Sequence, residues 1–348
     1  MPIAKKPACL QKGDQVAIIS TSAPLLGLLP HRRDQGFEAL RNLGFDPILA
    51  NHALAINGHT AGSGLERATD MNALFGDTSV KAIISAIGGD HANQMLPYLD
   101  WGVIEKNPKV LVGFSDTTVL LLAIYQQTSL ITFYGPSLLN QFAEYPSMHE
   151  YTKKAFLRAV ATDKPIGTVK PSPTYTDEFL DWFEKKDRAR PREMRPNTGW
   201  QWLKEGKAKG RLIGGCITSL LHLAGTPYWP EFDGALLFWE IPEGDDDFAH
   251  GKDLSQIDSC LADLENIGTL QKISGMIIGR PYGYSEEETN TLYTLIQERL
   301  AKYNYPVLAH VDFGHTDPIL TIPIGAEAEL DSGNNDRKFT ILSHATEL

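Results

Sequence analysis

The chain has 348 residues, 42% hydrophobic and 22% charged, with 32 Lys plus Arg against 43 Asp plus Glu and a formal net charge of −11. That composition can bury a sizeable core, suits two domains or one large one, and excludes a mainly disordered chain. The acidic balance argues against broad nucleic-acid binding, which needs Lys and Arg to displace counterions from phosphates, though not against a small anionic ligand held by local groups.

The longest apolar stretches, such as VLLLAI (119–124), fall far short of the roughly 20 residues that span a bilayer. The N-terminus MPIAKKPACLQKGDQVAIIS has two Lys but no apolar segment before the polar QKGDQ, so the expectation is no secretory leader and a cytoplasmic protein. Cys9, Cys216 and Cys260 form an odd set without C-x-x-C. They read as reduced thiols rather than a disulfide framework or a thiolate zinc site.

In chain order, QVAIIS (15–20) reads as a buried strand ending in the turn TSAP, 31–43 as a helix and 47–50 as a short strand. A helix follows over 65–75, then the strand VKAIISAI (80–87) ending at Gly88–Gly89, and a helix over 91–99. KVLVGF (109–114) is a strand, 117–127 a helix and 130–134 a strand. Strands alternating with helices predict a parallel sheet with helices on both faces, flavodoxin-like or Rossmann-like. Ligands of such sheets bind beyond the C-terminal strand ends, where TSAP, IGGDH, GFSD and YGP all fall.

Composition changes after about Lys164. The stretch 171–205 opens with PSP, carries 12 charged residues of both signs between Asp177 and Arg195, and holds Trp182, Trp200 and Trp202. Two readings stay open: a solvated linker, or a segment partly packed on something, since pure linkers are poor in aromatics. From Arg211 a second pattern begins: a strand into GGC, a helix over 217–224, the strand ALLFWEI (235–241), a helix over 254–267 and a strand over 273–279. A helix over 286–302 and strands at 307–311, 319–322 and 326–330 complete it. The late strands without intervening helices predict a smaller α+β domain. The expected division is 1–165, then a linker and covering loop over 166–210, then 211–348. No internal repeat is visible.

The sharpest local signal is KVLVGFSDT (109–117), where a β-rich run stops at Gly-Phe-Ser-Asp and a helical run starts at once. A tight strand–turn–helix exposes a serine hydroxyl, and helix N-terminal N–H groups can stabilise an oxyanion. Thr117 stands where G-x-S-x-G has its second Gly, so that motif is not matched. Locally, Ser115 or Asp116 serves equally well as a helix N-cap. A nucleophilic Ser needs a base and the base an orienting acid. His310 and His315, in LAHVDFGHTD, stand out among ten histidines, and either could instead be a satisfied structural histidine. Glu240 ends the run ALLFWE, and a carboxylate at the end of a buried strand needs a partner. Glu243, Asp245, Asp246 and Asp247 follow and match no metal-ligand spacing, so they read as a solvated acidic turn. Gly88–Gly89 could let an oxyanion or phosphate approach the backbone, but there is neither G-x-G-x-x-G nor a Walker A sequence.

Taken together, GDQVAIISTSAP (13–24), ISAIGGDHANQMLPYLD (84–100), VLVGFSDTT (110–118), RLIGGCITSLLHLAGTPYWP (211–230), LLFWEIPEGD (236–245) and DFGHTDP (312–318) resemble the LD-carboxypeptidase family of serine peptidases, which includes the microcin C immunity peptidases. The resemblance covers nearly the whole chain. It implies a Ser–Glu–His triad of Ser115, Glu240 and His315, with an oxyanion hole from backbone N–H groups near Gly89 and of Asp116. It also implies a two-domain homodimer with the site between the domains, acting without metal or cofactor. The turn IGGDH and the long loop 171–205 look more like the microcin branch, in which a loop Trp stacks on adenine. Trp182 is the best match, unless it simply packs against the domain. Where the family often has Asn after Gly214–Gly215, this chain has Cys216, which alters the expected substrate contacts. The expected activity is hydrolysis of an amide bond in a small peptide or aminoacyl-nucleotide conjugate. Its rivals are muramoyl-tetrapeptide L,D-carboxypeptidase activity in cell-wall recycling, and non-catalytic binding of a small ligand.

Overall fold

The alternating pattern of the first 135 residues builds one sheet. The computed structural model describes residues 4–333 and 337–348. Its strands in chain order are β1 (Gln15–Ile19), β2 (Asp46–Leu49), β3 (Val80–Ser85), β4 (Val110–Gly113) and β5 (Thr132–Tyr134). Next come β6 (Gly167–Val169), β7 (Thr174–Tyr175), β8 (Arg195–Pro196), β9 (Gln201–Lys204) and β10 (Lys207–Cys216). The last six are β11 (Leu236–Glu240), β12 (Gly275–Gly279), β13 (Val307–Val311), β14 (Ile322–Ile324), β15 (Glu327–Asp331) and β16 (Lys338–Ile341).

The first sheet runs β14-β5-β4-β3-β1-β2. Strands β1 to β5 are all parallel, and only β14 is antiparallel. The order 2-1-3-4-5 is the flavodoxin-like winding, and its direction reverses between β1 and β3. At that switch point lie the turn after β1 and the Gly88–Gly89 turn after β3, joined by the Ala23 N–H to the Gly88 carbonyl at 3.1 Å. Helices Gly64–Gly76, Trp101–Lys106 and Thr118–Thr128 pack in sequence on one another, whereas Pro30–Asn42 packs on the turn Leu138–Phe142. Helix Gly64–Gly76 starts where Ser63 and Glu66 form a capping box, as S-x-x-E before an apolar run predicts. Residues 91–99, expected as a helix, form only a 3₁₀ turn over Ala92–Tyr98 with Pro97 inside it. Proline removes the N–H that a regular helix needs there.

The second sheet runs β6-β16-β15-β10-β11-β12-β13-β9. Its centre, β10 to β13, is parallel and the flanking strands are antiparallel. Helices Leu254–Asn266 and Glu286–Arg299 make the crossovers, so this part is a mixed sheet with an α/β centre. Helix Thr118–Thr128 packs on β14, on β10 and on helix Ile217–Leu221. This explains its lack of a polar face: Val119 to Ile124 are all fully buried between the two sheets.

The charged stretch 171–205 is anchored rather than free. Arg192 bonds both Glu144 Oε2 at 2.5 Å and Asp317 Oδ2 at 2.6 Å. The buried Asp187 takes Arg32 Nη1 at 2.5 Å, and Trp200 Nε1 donates to the buried Asp312 at 2.8 Å. Many of its other charged residues are exposed, so the two readings of this stretch each hold for part of it.

Candidate active site

Strand β4 ends at Gly113, Phe114 stays extended at φ −144°, and Ser115 turns to φ 58° before the chain enters the helix. A positive φ at a residue with a side chain costs on the order of 1–3 kcal/mol and persists only where the surroundings hold it. Here Gly88 makes the room: a Cβ at that position would stand 2.7 Å from Ser115 Oγ. The close glycine thus comes from the neighbouring strand end. Thr117, in place of the second Gly of the elbow motif, bonds Ser85 Oγ at 3.0 Å.

Neither Ser115 nor Asp116 caps the helix, so the N-cap reading is set aside: no side-chain cap bond forms at either helical start. Asp116 is fully buried and its Oδ2 accepts from the N–H groups of His91 and Ala92, both at 2.8 Å. The aspartate of GFSD therefore staples the GGDH turn to the serine turn. Burial holds its carboxyl above the usual range. Gly89 takes φ 135°, where a Cβ would lie 2.5 Å from Ser22 Oγ. The Gly88 position also stands close to the Asp116 amide, a Cβ there falling 3.2 Å from its nitrogen.

His315 follows β13 in a loop opened by Gly314 at φ 100°. Its Nε2 lies 3.1 Å from Ser115 Oγ and its Nδ1 lies 2.7 Å from Glu240 Oε2. Glu240, at the end of β11, is fully buried, and the hydroxyl of Tyr134 donates to its other oxygen at 2.6 Å. Two glycines press against this carboxylate: a Cβ at Gly314 would meet Glu240 Oε2 at 2.5 Å, and one at Gly279 would meet its Cβ at 2.7 Å. Burial alone would lower the His315 pKa, but the two carboxylates Glu240 and Glu243 outweigh it and hold the imidazole well above its usual value. Burial, reinforced by Glu240, raises the Tyr134 phenol far above its ordinary range.

Such a row of hydroxyl, imidazole and carboxylate can pass the serine proton to Nε2 while Nδ1–H stays bonded to the acid. Tyr134 is a site residue that sequence reasoning missed. Its only signal was its position at the end of β5, in the YGP turn.

Other expected residues fall in different places. His310 also has positive φ, 66°, but bonds Tyr293 at 2.9 Å and takes no part in the row. Glu243 corrects the reading of a solvated acidic turn. Asp245, Asp246 and Asp247 are exposed, but Glu243 Oε2 lies 2.8 Å from His315 Nε2. Cys216 is buried, aligned with Glu240 across β10 and β11, and its Sγ lies 3.4 Å from Thr218 Oγ1. Trp182 is partly buried, with the Arg32 guanidinium 4.0 Å over its ring. Arg32 in turn donates to the carbonyl of Leu139, whose N–H bonds the Ala86 carbonyl just before the Gly88 turn. Among the described residues, no three His, Cys, Asp or Glu side chains are grouped to hold a metal ion, and no helix is long and apolar enough to cross a membrane.

The microcin C7 self-immunity protein MccF of Escherichia coli is 32% identical to this chain over 337 residues, covering 96% of this chain and 95% of that protein. A protein of Bacillus subtilis (strain 168) named "Probable murein peptide carboxypeptidase" is 29% identical over 330 residues, 94% of this chain and 92% of its own length. The solved structure of MccF in complex with aspartyl sulfamoyl adenosine aligns with a TM-score of 0.89 at 30% identity, covering 99% of this chain and all of that one. Family descriptions match in both parts: LD-carboxypeptidase N-terminal domain over residues 16–135 and LD-carboxypeptidase C-terminal domain over residues 209–330. With a serine, an imidazole and a buried carboxylate aligned where the two sheets meet, the chain belongs to the LD-carboxypeptidase family and is a peptidase.

Proposed function

We propose that this peptidase hydrolyses an amide bond in an aminoacyl-nucleotide or small peptide conjugate, in the manner of the microcin immunity proteins. One observation carries the catalytic assignment: Ser115 Oγ, His315 and Glu240 stand in hydrogen-bonding sequence at 3.1 and 2.7 Å.

Ser115 Oγ attacks the scissile carbonyl carbon while His315 Nε2 takes its proton. Glu240 orients the imidazole and stabilises the imidazolium. Backbone N–H groups at Gly89 and Asp116 receive the oxyanion. The C–N bond then breaks, His315 hands the proton to the departing nitrogen, and water releases the acyl group from Ser115 by the same steps. In this reading the nucleophile belongs to a domain over 1–165, the acid and base to one over 211–348, and 166–210 covers the site. Trp182, which already carries the Arg32 guanidinium over its ring, takes the nucleobase by stacking. The protein works as a cytoplasmic homodimer on small ligands, and its net charge of −11 disfavours nucleic acid.

The test is hydrolysis of an aspartyl-adenylate analogue with a scissile amide beside an L,D-linked muropeptide tetrapeptide, each with a Ser115→Ala control. Cleavage of the nucleotide conjugate alone supports the proposal. Release of D-alanine alone replaces it with cell-wall recycling. Turnover that survives Ser115→Ala ends the serine mechanism.

A further inference from the structure

The Nε2 atom of His315 has two neighbours, not one. Ser115 Oγ is at 3.1 Å and Glu243 Oε2 at 2.8 Å. The Glu243 carboxylate is thus nearer the base than the nucleophile is, and within the span of one amino-acid residue from Ser115 Oγ. Glu243 Oε2 is shut off from solvent and has no aligned hydrogen bond. This oxygen therefore rests on the His315 imidazole, while the side chain as a whole is 38% exposed.

Lys252, whose charge also acts on Glu243, pairs with Asp245. The phenol of Tyr282, whose ring stands 6.1 Å from His315, donates to the Phe248 carbonyl. Glu240 carries a second negative charge on the other side of the imidazole. Among the described residues, Glu243 forms an ion pair with His315 alone.

Resting on the serine-peptidase reading above, we propose that Glu243 is a specificity-determining residue that receives a protonated amine on the acyl half of the substrate. An acyl group bound to Ser115 places its α-substituents beside Nε2, where this carboxylate lies. An ammonium there takes over from His315 as the counter-ion and draws the carboxylate off Nε2, leaving the base free for Ser115. A neutral acyl group leaves the carboxylate on the base, and an acidic one meets like charge. The cation can be a free α-ammonium or a basic side chain.

The test measures kcat/KM on two pairs of acyl sulfamoyl adenosines, with the same acyl groups on D-alanine as a second scaffold. One pair is alanyl against N-acetylalanyl, which reads the α-ammonium. The other is N-acetyllysyl against N-acetylnorleucyl, which reads a side-chain amine. The wild-type enzyme is expected to favour the cationic member of at least one pair by about tenfold or more. In Glu243→Gln that ratio falls to within about twofold. A ratio unchanged in Glu243→Gln, or a wild-type enzyme indifferent to the cation in both pairs, overturns the proposal. A Glu243→Asp variant that keeps the preference excludes a merely structural effect of the glutamine. If only the D-alanine scaffold is cleaved, the aminoacyl-nucleotide reading fails while the charge preference is still measured.

Discussion

The Tyr134 hydroxyl donates to Glu240 Oε1 at 2.6 Å, so the carboxylate that orients His315 is gripped on both of its oxygens. Strand β5 of the first sheet thereby fixes an acid carried by β11 of the second. Tyr134→Phe leaves a buried acceptor unpaired, which costs about 1–3 kcal/mol. It should lower kcat by about tenfold or more with little change in KM, because the acid loses its fixed orientation. Thermal melts and steady-state kinetics on the same preparation check both effects, and unchanged kcat would reduce Tyr134 to a packing residue.

Ser115 pays for its position in backbone strain. Ser115→Ala should cut turnover by about 10⁴-fold or more while the fold survives. Ser115→Gly should be equally inactive but more stable than Ser115→Ala by about 1 kcal/mol, since glycine accepts φ 58° without penalty. Denaturant melts of the two variants decide it. A less stable glycine variant would mean that the turn is not strained.

Gly314 matters for a steric reason. At φ 100° a Cβ would fall 2.5 Å from Glu240 Oε2. Gly314→Ala must therefore shift the loop or the acid, and a shift of about 1 Å can cost about 10²-fold in rate. Kinetics and circular dichroism together should show lost activity in a folded protein.

Arg192 joins Glu144, before the helix Glu150–Val160, to Asp317, two residues after His315. Burial works against its charge, but the two carboxylates outweigh that and raise its pKa. Arg192→Met strands both acids and should cost about 3–5 kcal/mol. It should also lower kcat through the His315 loop. A variant that unfolds at the wild-type denaturant midpoint would refute the clamp.

His310 offers a pH signature. Burial, aided by the Arg280 charge, lowers its pKa to about 4 from 6.5. Between those values the unfolded chain binds the proton and the folded one does not. Its contribution to stability is therefore complete above pH 6.5 and is lost as the pH falls towards about 4. The residue is only partly buried, so the loss is on the order of 2 kcal/mol. His310→Asn, which tolerates φ 66°, should lose less stability than the wild type over that interval. Parallel melts at pH 7 and pH 4.5 measure the difference.

Much of this molecule is legible along the chain. The strands from QVAII to TFY and the helices between them follow from apolar periodicity, a local property of neighbouring residues. Pro97 shows its limit, since one ring turned an expected helix into a 3₁₀ turn. GFSD, LLFWE and DFGH each suggested a chemical role, but each also had an ordinary local explanation. Only their joint resemblance to a family singled out Ser115, Glu240 and His315. What no local pattern could show is who meets whom. Ser115 and His315 are 200 residues apart, and the register of two sheets around helix Thr118–Thr128 sets their distance. The same packing set His315, not His310, beside Ser115, drew Tyr134 and Arg192 into the network, and turned Glu243 from an acidic-loop residue into a neighbour of His315. Such contacts depend on how elements close in three dimensions, and hydrophobic spacing within each element carries no record of them.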